Sequence, residues 1–215
     1  MELNIISLIY EFLKEEREKH VREDGVLWVT DLVSCRLKEK YSREYPEIDL
    51  STLFKPPLIQ GTLVHRGLET FLKEHLSSDE VKVDVEVEGF KEIDLSKLTM
   101  KSDLSKVIIK GRIDVIVSTK ESKIGIEIKT ARADLGIPHP HHIDQVRIYN
   151  WLFNLDKSIL IYITPDRLAQ YEVCERFSES EIAKRVVDDA SPRYEWECQY
   201  CPFSVLCSKK VTKRR

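Results

Sequence analysis

Gly111-Arg112-Ile113-Asp114-Val115-Ile116-Val117, a short polar interval, and then Lys123-Ile124-Gly125-Ile126-Glu127-Ile128-Lys129-Thr130 is the stretch on which the fold turns. Polar and apolar side chains alternate around its acidic residues, as expected of strands that bury one face. Glu127 and Lys129 lie two apart, so they share one face while Ile126 and Ile128 take the other. Asp114 stands on the preceding strand, with Ile113 and Val115 turned away from it. The polar interval between the two runs predicts a hairpin, which brings an Asp and a Glu onto one sheet face. Two carboxylates so placed repel each other unless a cation sits between them. Hard oxygen donors suit Mg²⁺ or Mn²⁺. Lys129 is then placed to assist an attacking water or to neutralise charge developing at phosphorus. An isolated Glu-x-Lys is usually a solvated strand face; the flanks set this one apart.

Working outward, Val81, Val83, Val85 and Val87 alternate with charged residues and predict a strand packed on one side. Downstream, the pattern predicts a helix from about Ile143 to Leu155, strands over 158–164 and 170–177, and a helix over 179–189. Upstream, Ile5, Ile6, Ile9, Phe12 and Leu13 recur at helical spacing, predicting an amphipathic helix over 2–19. Thr30 is placed as the N-cap of a second helix, running through Cys35 to about Tyr45 and stopped by Pro46. After Pro56 and Pro57 a third begins near Ile59, with Val64, Leu68, Phe71 and Leu72 as its buried stripe. Helices, then antiparallel strands, then a βαβ unit predict an α/β fold with a mixed central sheet flanked by helices. One domain is expected over 1–215, with 59–189 as its core and 1–58 plus 190–215 as a helical subdomain made from both ends.

With 215 residues and 42% hydrophobic content the chain supports a substantial core. Its net charge is only −3, so contact with nucleic acid has to come from a local patch. No run of about 18 apolar residues is present to span a membrane. Glu11, Lys14, Glu15 and Glu16 follow the short N-terminal apolar run, unlike a signal peptide. A cytoplasmic location without membrane contact is expected. In a reducing compartment, clustered cysteines point to a metal rather than to disulfides. Cys198, Cys201 and Cys207 stand close together near the C-terminus, and Cys35 must bring a fourth thiolate from far upstream. Four thiolates hold zinc or an iron–sulfur cluster, and spacing does not choose. The fifth, Cys174, is read as a small buried hydrophobe in a strand. His139-Pro140-His141-His142 is placed in a solvated or DNA-facing loop, because no carboxylate stands at a fitting interval. The Lys/Glu stretch over 14–19 is read as a solvated helix face. The basic tail of Lys209, Lys210, Lys213, Arg214 and Arg215 is either phosphate-contacting or a disordered solubilising segment.

Gly111-Arg112-Ile113-Asp114, the hairpin and Gly125-Ile126-Glu127-Ile128-Lys129-Thr130 together resemble the PD-(D/E)xK nuclease core, in particular its RecB-like branch. The proline of the named motif is absent, as is common in that branch. Gln60-Gly61-Thr62-Leu63-Val64-His65-Arg66-Gly67 resembles the helix of that branch whose histidine joins the metal site. Gln145-Val146-Arg147-Ile148-Tyr149 resembles its Gln-x-x-x-Tyr helix, in which an i, i+4 pair shares a face. One early and three late cysteines around these motifs resemble the iron–sulfur members: the AddB C-terminal domain and, at this length, the fourth CRISPR-associated (Cas) family. The resemblance implies a restriction-endonuclease-like fold whose N- and C-terminal segments are joined by an iron–sulfur cluster on Cys35, Cys198, Cys201 and Cys207. A [4Fe–4S] form is implied first, with [2Fe–2S] and zinc as the alternatives. The resemblance also implies a divalent ion on His65, Asp114, Glu127 and the Ile128 carbonyl, catalysis by Lys129 with Asp114 and Glu127, and DNA contacts from Gln145 and Tyr149. The implied activity is a Mg- or Mn-dependent exonuclease on single-stranded DNA. It would act 5′ to 3′ and trim DNA for an integrase during CRISPR spacer acquisition. Two rival readings are a non-catalytic cluster-bearing DNA-binding subunit, against which intact Asp114, Glu127 and Lys129 stand, and a zinc-stapled restriction-type endonuclease.

Overall fold

A computed structural model describes residues 3–18, 23–98 and 105–212 of the chain. In chain order the elements are α1 (Ile5–Glu18), β1 (Val26–Trp28), α2 (Val29–Leu32), α3 (Arg36–Glu44), α4 (Pro46–Leu50), α5 (Pro56–Leu76) and β2 (Lys82–Asp94). There follow β3 (Lys106–Ser118), β4 (Lys123–Thr130), α6 (Pro140–Leu152), β5 (Lys157–Ile163), β6 (Leu168–Val173), α7 (Glu179–Val187) and α8 (Glu197–Tyr200). The chain divides into two compact units. One comprises Met1–Asp24, Ser34–Leu63 and Asp189–Arg215, and the other Gly25–Val33 and Val64–Asp188.

The second unit is built on β3. Along one edge β2 runs antiparallel to it, from Lys82 opposite Ser118 to Asp94 opposite Lys106. The other edge is shared. There β1 pairs in parallel with Ile108, Ile109 and Lys110, and β4 pairs antiparallel at 115–118. Between them, among the described residues, 111–114 have no ladder partner on that edge. β4 continues through the α6 crossover into parallel pairing with β5, and β6 closes the mixed six-stranded sheet antiparallel to β5. Helices cover both faces. Val29 and Leu32 of α2, Ile148 and Leu152 of α6 and Ile182 of α7 join Ile109, Ile113 and Ile116 on one side. Leu68 and Leu72 of α5 pack against the core of Val83, Val115, Ile126 and Ile128 on the other.

The gap in the ladder coincides with a slip in strand alternation. Val83, Val85 and Val115 pack on the α5 side, whereas Val87 and Ile113, two residues further along their strands, pack on the α6 side. The register pairs Val85 with Val115 and Val87 with Ile113, so Glu86 falls opposite Asp114 at the point of the slip. Glu86 has φ +48°. That left-handed conformation costs a residue with a Cβ about 1–3 kcal/mol, so the register on either side must impose it. Close by, Gly89 and Gly111 pair across β2 and β3 under the end of α6. A Cβ at Gly111 would lie 2.8 Å from Leu152 and 2.9 Å from both Tyr149 and Val29, and one at Gly89 would lie 2.5 Å from the Phe153 ring. These glycines let the helix settle onto the strands.

Several helical expectations are corrected, mostly by non-local partners. The single helix expected from Thr30 to about Tyr45 is two, α2 and α3, with Cys35 as the N-cap of the second. The N–H groups of Cys35 and Arg36 bond to Glu197 Oε1 at 2.8 Å and to the Ala190 carbonyl at 3.1 Å, in place of carbonyls one turn back. On α1, Leu13 is buried but Ile5 and Ile6 are exposed. Lys14 and Glu18 make an exposed pair at 3.7 Å, while Glu2 and Lys19 lie outside the described residues. The stripe of α5 is Leu68 and Leu72, because Phe71 is exposed and stacks on His75. α5 and α6 each begin at a proline, whose fixed φ suits the first helical turn. His141 and His142, expected in a loop, therefore lie in the first turn of α6. Cys174, expected to be buried, is exposed just past β6, where Val173 takes the inward position. Lys213, Arg214 and Arg215 of the basic tail lie outside the described residues. Among the described residues no helix is long and apolar enough to cross a membrane.

Candidate active site

The unpaired stretch 111–114 of β3 is where polar groups from both sides of the sheet meet. Arg112 turns its carbonyl to Tyr149, whose hydroxyl donates to it at 2.8 Å. The N–H of Ile128, with no β3 partner at this level, donates to Asp114 Oδ2 at 2.6 Å. Asp114 Oδ1 lies 3.4 Å from His65 Nδ1 on α5. One carboxylate thereby joins the end of the β3–β4 ladder to the helix over one face. From the other face, Gln145 of α6 donates from Nε2 to Glu127 Oε1 at 2.8 Å, and Lys129 Nζ donates to the same oxygen at 2.7 Å. Glu127 Oε2 is buried and has no hydrogen-bond partner. Buried carboxylate oxygens are nearly always paired, so this orphan is the kind of position a cation satisfies. His65, Glu69 and Asp114 each offer a donor atom within 4.8 Å of the other two.

Electrostatics mark the same group. Burial, then the Asp114 charge, push the Glu127 carboxyl up to about 7, against the pull of Lys129. Burial and the charges of Asp114 and Glu86 push Glu69 up to about 7 as well. Burial opposes the charged form of His65, but the hydrogen bond and charge of Asp114 outweigh it and the net shift is upward. Tyr149 is held well above the ordinary phenol range by burial and by the Glu127 charge. Glu69 and Glu127, both raised by burial and by the Asp114 charge, form with His65 a site short of positive charge. Imidazole and carboxylate donors of this kind suit a divalent cation such as Mg²⁺ or Mn²⁺.

His65, Asp114, Glu127, Lys129, Gln145 and Tyr149 all converge here. Gln145 and Tyr149 are only 5% and 2% exposed. Gln145 donates to Glu127 and to the Tyr149 hydroxyl, at 3.1 Å, so both residues bear on the carboxylate's position and not on an open surface. Glu69, 6% exposed, is the member that the sequence reading passed over. Its signal was present: it follows His65 by four residues and shares its helix face.

In the unit made from both chain ends, Cys35, Cys198, Cys201 and Cys207 line one small cavity together with Lys38 and Tyr41. All are free thiols. Glu197 sets the frame. One carboxylate oxygen accepts the Cys35 N–H at 2.8 Å, and the other accepts those of Arg193 and Tyr194 at 2.9 Å each. The Val211 N–H points at Cys198 Sγ at 3.5 Å. Burial pushes the Cys201 thiol up, against a hydrogen bond from the Phe203 backbone. Four sulfurs about one cavity, with amide donors nearby, fit the donor chemistry of an iron–sulfur or zinc centre. Only an acidic residue beside a cysteine hinted at Glu197, and that is no pattern to read in advance.

A curated protein from Saccharolobus solfataricus, described as CRISPR-associated exonuclease Cas4, is 42% identical over 214 residues, covering 95% of this chain and 100% of the relative. This chain belongs to the Cas4 family. The crystal structure of SSO0001 superposes on this Cas4-family chain with a TM-score of 0.87 at 39% identity, over 99% of this chain and 100% of that one. An alkaline exonuclease from Laribacter hongkongensis aligns more loosely, with a TM-score of 0.47 at 16% identity over 75% of this chain and 84% of that one. No family model matches. The Cas4 relationship spans both the carboxylate site and the cysteine-lined cavity. The mixed sheet flanked by helices is thus the restriction-endonuclease-like fold anticipated from the Asp114 and Glu127-x-Lys129 pattern.

Proposed function

We propose that the chain is a deoxyribonuclease of the exonuclease type, acting on single-stranded DNA from the 5′ end and trimming it for a CRISPR integrase in the cytoplasm. The observation that carries this reading is the shared environment of Asp114 and Glu127 at the break in the β3–β4 ladder. There one Asp114 oxygen faces His65, the other takes the Ile128 N–H, and Glu127 keeps a buried oxygen without a partner. His65, Asp114, Glu127 and the Ile128 carbonyl would hold Mg²⁺ or Mn²⁺, with Glu69 beside His65 as a further donor. When bound, such an ion supplies Lewis-acid polarisation of a phosphoryl oxygen and lowers the pKa of water. Lys129, anchored on Glu127, orients the water and offsets charge developing on the phosphate. Gln145 and Tyr149 fix the Glu127 carboxylate from behind. The CRISPR setting, the strand preference and the polarity rest on family likeness. Cys35, Cys198, Cys201 and Cys207 would hold the iron–sulfur cluster, [4Fe–4S] before [2Fe–2S] or zinc, as an architectural clasp for a unit assembled from distant segments.

The test is digestion of end-labelled linear and circular single-stranded DNA with Mn²⁺, by wild type and by Lys129→Ala. Linear strands should shorten from the 5′ end while circles persist, and the variant should be slower by about 10²–10³-fold. Equal rates for the variant would remove the assignment of the site, and cut circles would replace exonuclease with endonuclease.

A further inference from the structure

The end of the connection leaving β4 and the first turn of α6 carry three histidines, His139, His141 and His142, that the proposed reaction does not use. Their rings form one group. His139 and His141 are nearly parallel, with centroids 5.5 Å apart and planes at 17°, and His141 and His142 are 4.0 Å apart. Tyr162 of β5 anchors the segment at His139 and His142. Its hydroxyl accepts the His139 N–H at 2.9 Å and pairs with His142 Nδ1 at 2.6 Å. Tyr162 itself is fully buried, whereas each of the three rings keeps partial exposure. With the His139 backbone and the His142 ring bonded to a core residue, and all three rings partly open, the group presents a surface.

Three imidazoles offer metal ligation, cationic pairing with phosphate, or stacking. Ligation requires ring nitrogens that converge. Among the described residues they do not join a converging set of donors, and His142 Nδ1 is engaged by Tyr162. Phosphate pairing requires charge. Burial first, then the neighbouring His139 and the Lys129 ammonium, push His141 down to about 4, and burial and Lys129 push His142 down further. Aromatic faces remain, and Tyr162, which holds His142, pairs with Lys129 across β4 and β5, so the group lies beside the reacting end of the site.

We propose that His139, His141 and His142 form a stacking platform for a nucleobase next to the phosphate being cut, selecting strands whose bases are unpaired. This rests on the nuclease reading above and adds a cause for strand preference to it. An unstacked, unpaired base can lay its π face on an aromatic side chain, whereas a base inside a duplex shows only its edges.

The full chain is tested with single-stranded oligonucleotides carrying either a normal nucleotide or an abasic one near the 5′ end, with Mn²⁺, using wild type, His141→Ala and His141→Phe. For the normal strand, His141→Ala should raise KM about ten-fold with kcat nearly unchanged, and His141→Phe should restore most of the loss. The abasic strand should not distinguish the three proteins. Equal losses on both strands, or no loss on either, would overturn the platform. In parallel, quenching of 2-aminopurine at the same position is read on binding to Lys129→Ala, with and without His141→Ala. Quenching that vanishes with the ring supports stacking, and unchanged quenching overturns it. Because this second measurement needs no cleavage, a chain that fails to cut DNA would defeat the nuclease reading while quenching still decides the platform.

Discussion

At Glu127, burial and the Asp114 carboxylate raise the proton affinity while Lys129 opposes them, and Glu69 carries a comparable upward shift across the site. Both groups lie near 7 in the folded chain against an ordinary 4.5. Between those values the folded state binds more protons than the unfolded one, so stability is full below about 4.5 and is lost as pH rises through about 7. His65, also shifted upward, adds in the same direction. In chelator, the thermal midpoint should therefore fall between pH 5 and pH 8, and Glu69→Gln should flatten that decline. Scanning calorimetry across this range checks both, and a midpoint that climbs with pH would show that these carboxyls are not strained by their surroundings. Glu127 and Lys129 were legible in the sequence because β alternation assigns faces to residues without knowledge of the rest of the fold, whereas at Asp114 the rule fails: Ile113 and Val115, expected on one face, pack on opposite sides of the sheet. Glu69 could be found only through its i, i+4 spacing from His65, since a lone helix carboxylate resembles solvated surface until the sheet that buries it is in place. Gln145 and Tyr149 were legible as a pair, but their burial follows from α6 settling onto β3.

That settling is an element-level property. Gly111 admits Leu152 and Tyr149 of α6 and Val29 of α2 into the space a side chain would fill. Gly111→Ala should cost about 1–3 kcal/mol by overpacking. For a chain of this size each kilocalorie lowers Tm by about 2–4 °C. Because Tyr149 holds the Arg112 carbonyl, DNA cleavage should fall as well. Unchanged melting would mean that α6 has slack and that the glycine pair is incidental. The longer strands were readable from their alternation, but the three-residue β1 was too short to show one; α7, expected over 179–189, runs Glu179–Val187 with Ser178 and Glu181 forming a capping box at its start. The break between α2 and α3 was not readable, since the groups that end one helix and start the next bond to residues near the far end of the chain. The slip at Glu86 and Asp114 was hidden for a related reason. Alternation predicts a continuous face, and only the three-way sharing of β3 among its neighbours interrupts it.

For the whole molecule, the cysteine-bearing unit is drawn from three separated segments, and Glu197 binds two of them through backbone N–H groups. Glu197→Ala would leave three donors without their acceptor, and Glu197→Gln would keep an acceptor oxygen. On the proposed iron–sulfur reading, the alanine variant purified anaerobically should carry clearly less iron and acid-labile sulfide per chain than wild type, with the glutamine variant between them. A full complement in Glu197→Ala would show that the cysteines need no such frame. The account as a whole stands on Asp114 acting as a ligand at the break in the sheet. Calorimetric titration of Mn²⁺ into the full chain, wild type against Asp114→Asn, addresses that directly. Binding by the wild type and an affinity lowered by roughly a hundred-fold or more in the variant is the predicted result, since even outer-shell changes cost ten- to a hundred-fold. Equal affinity in the two proteins would contradict it.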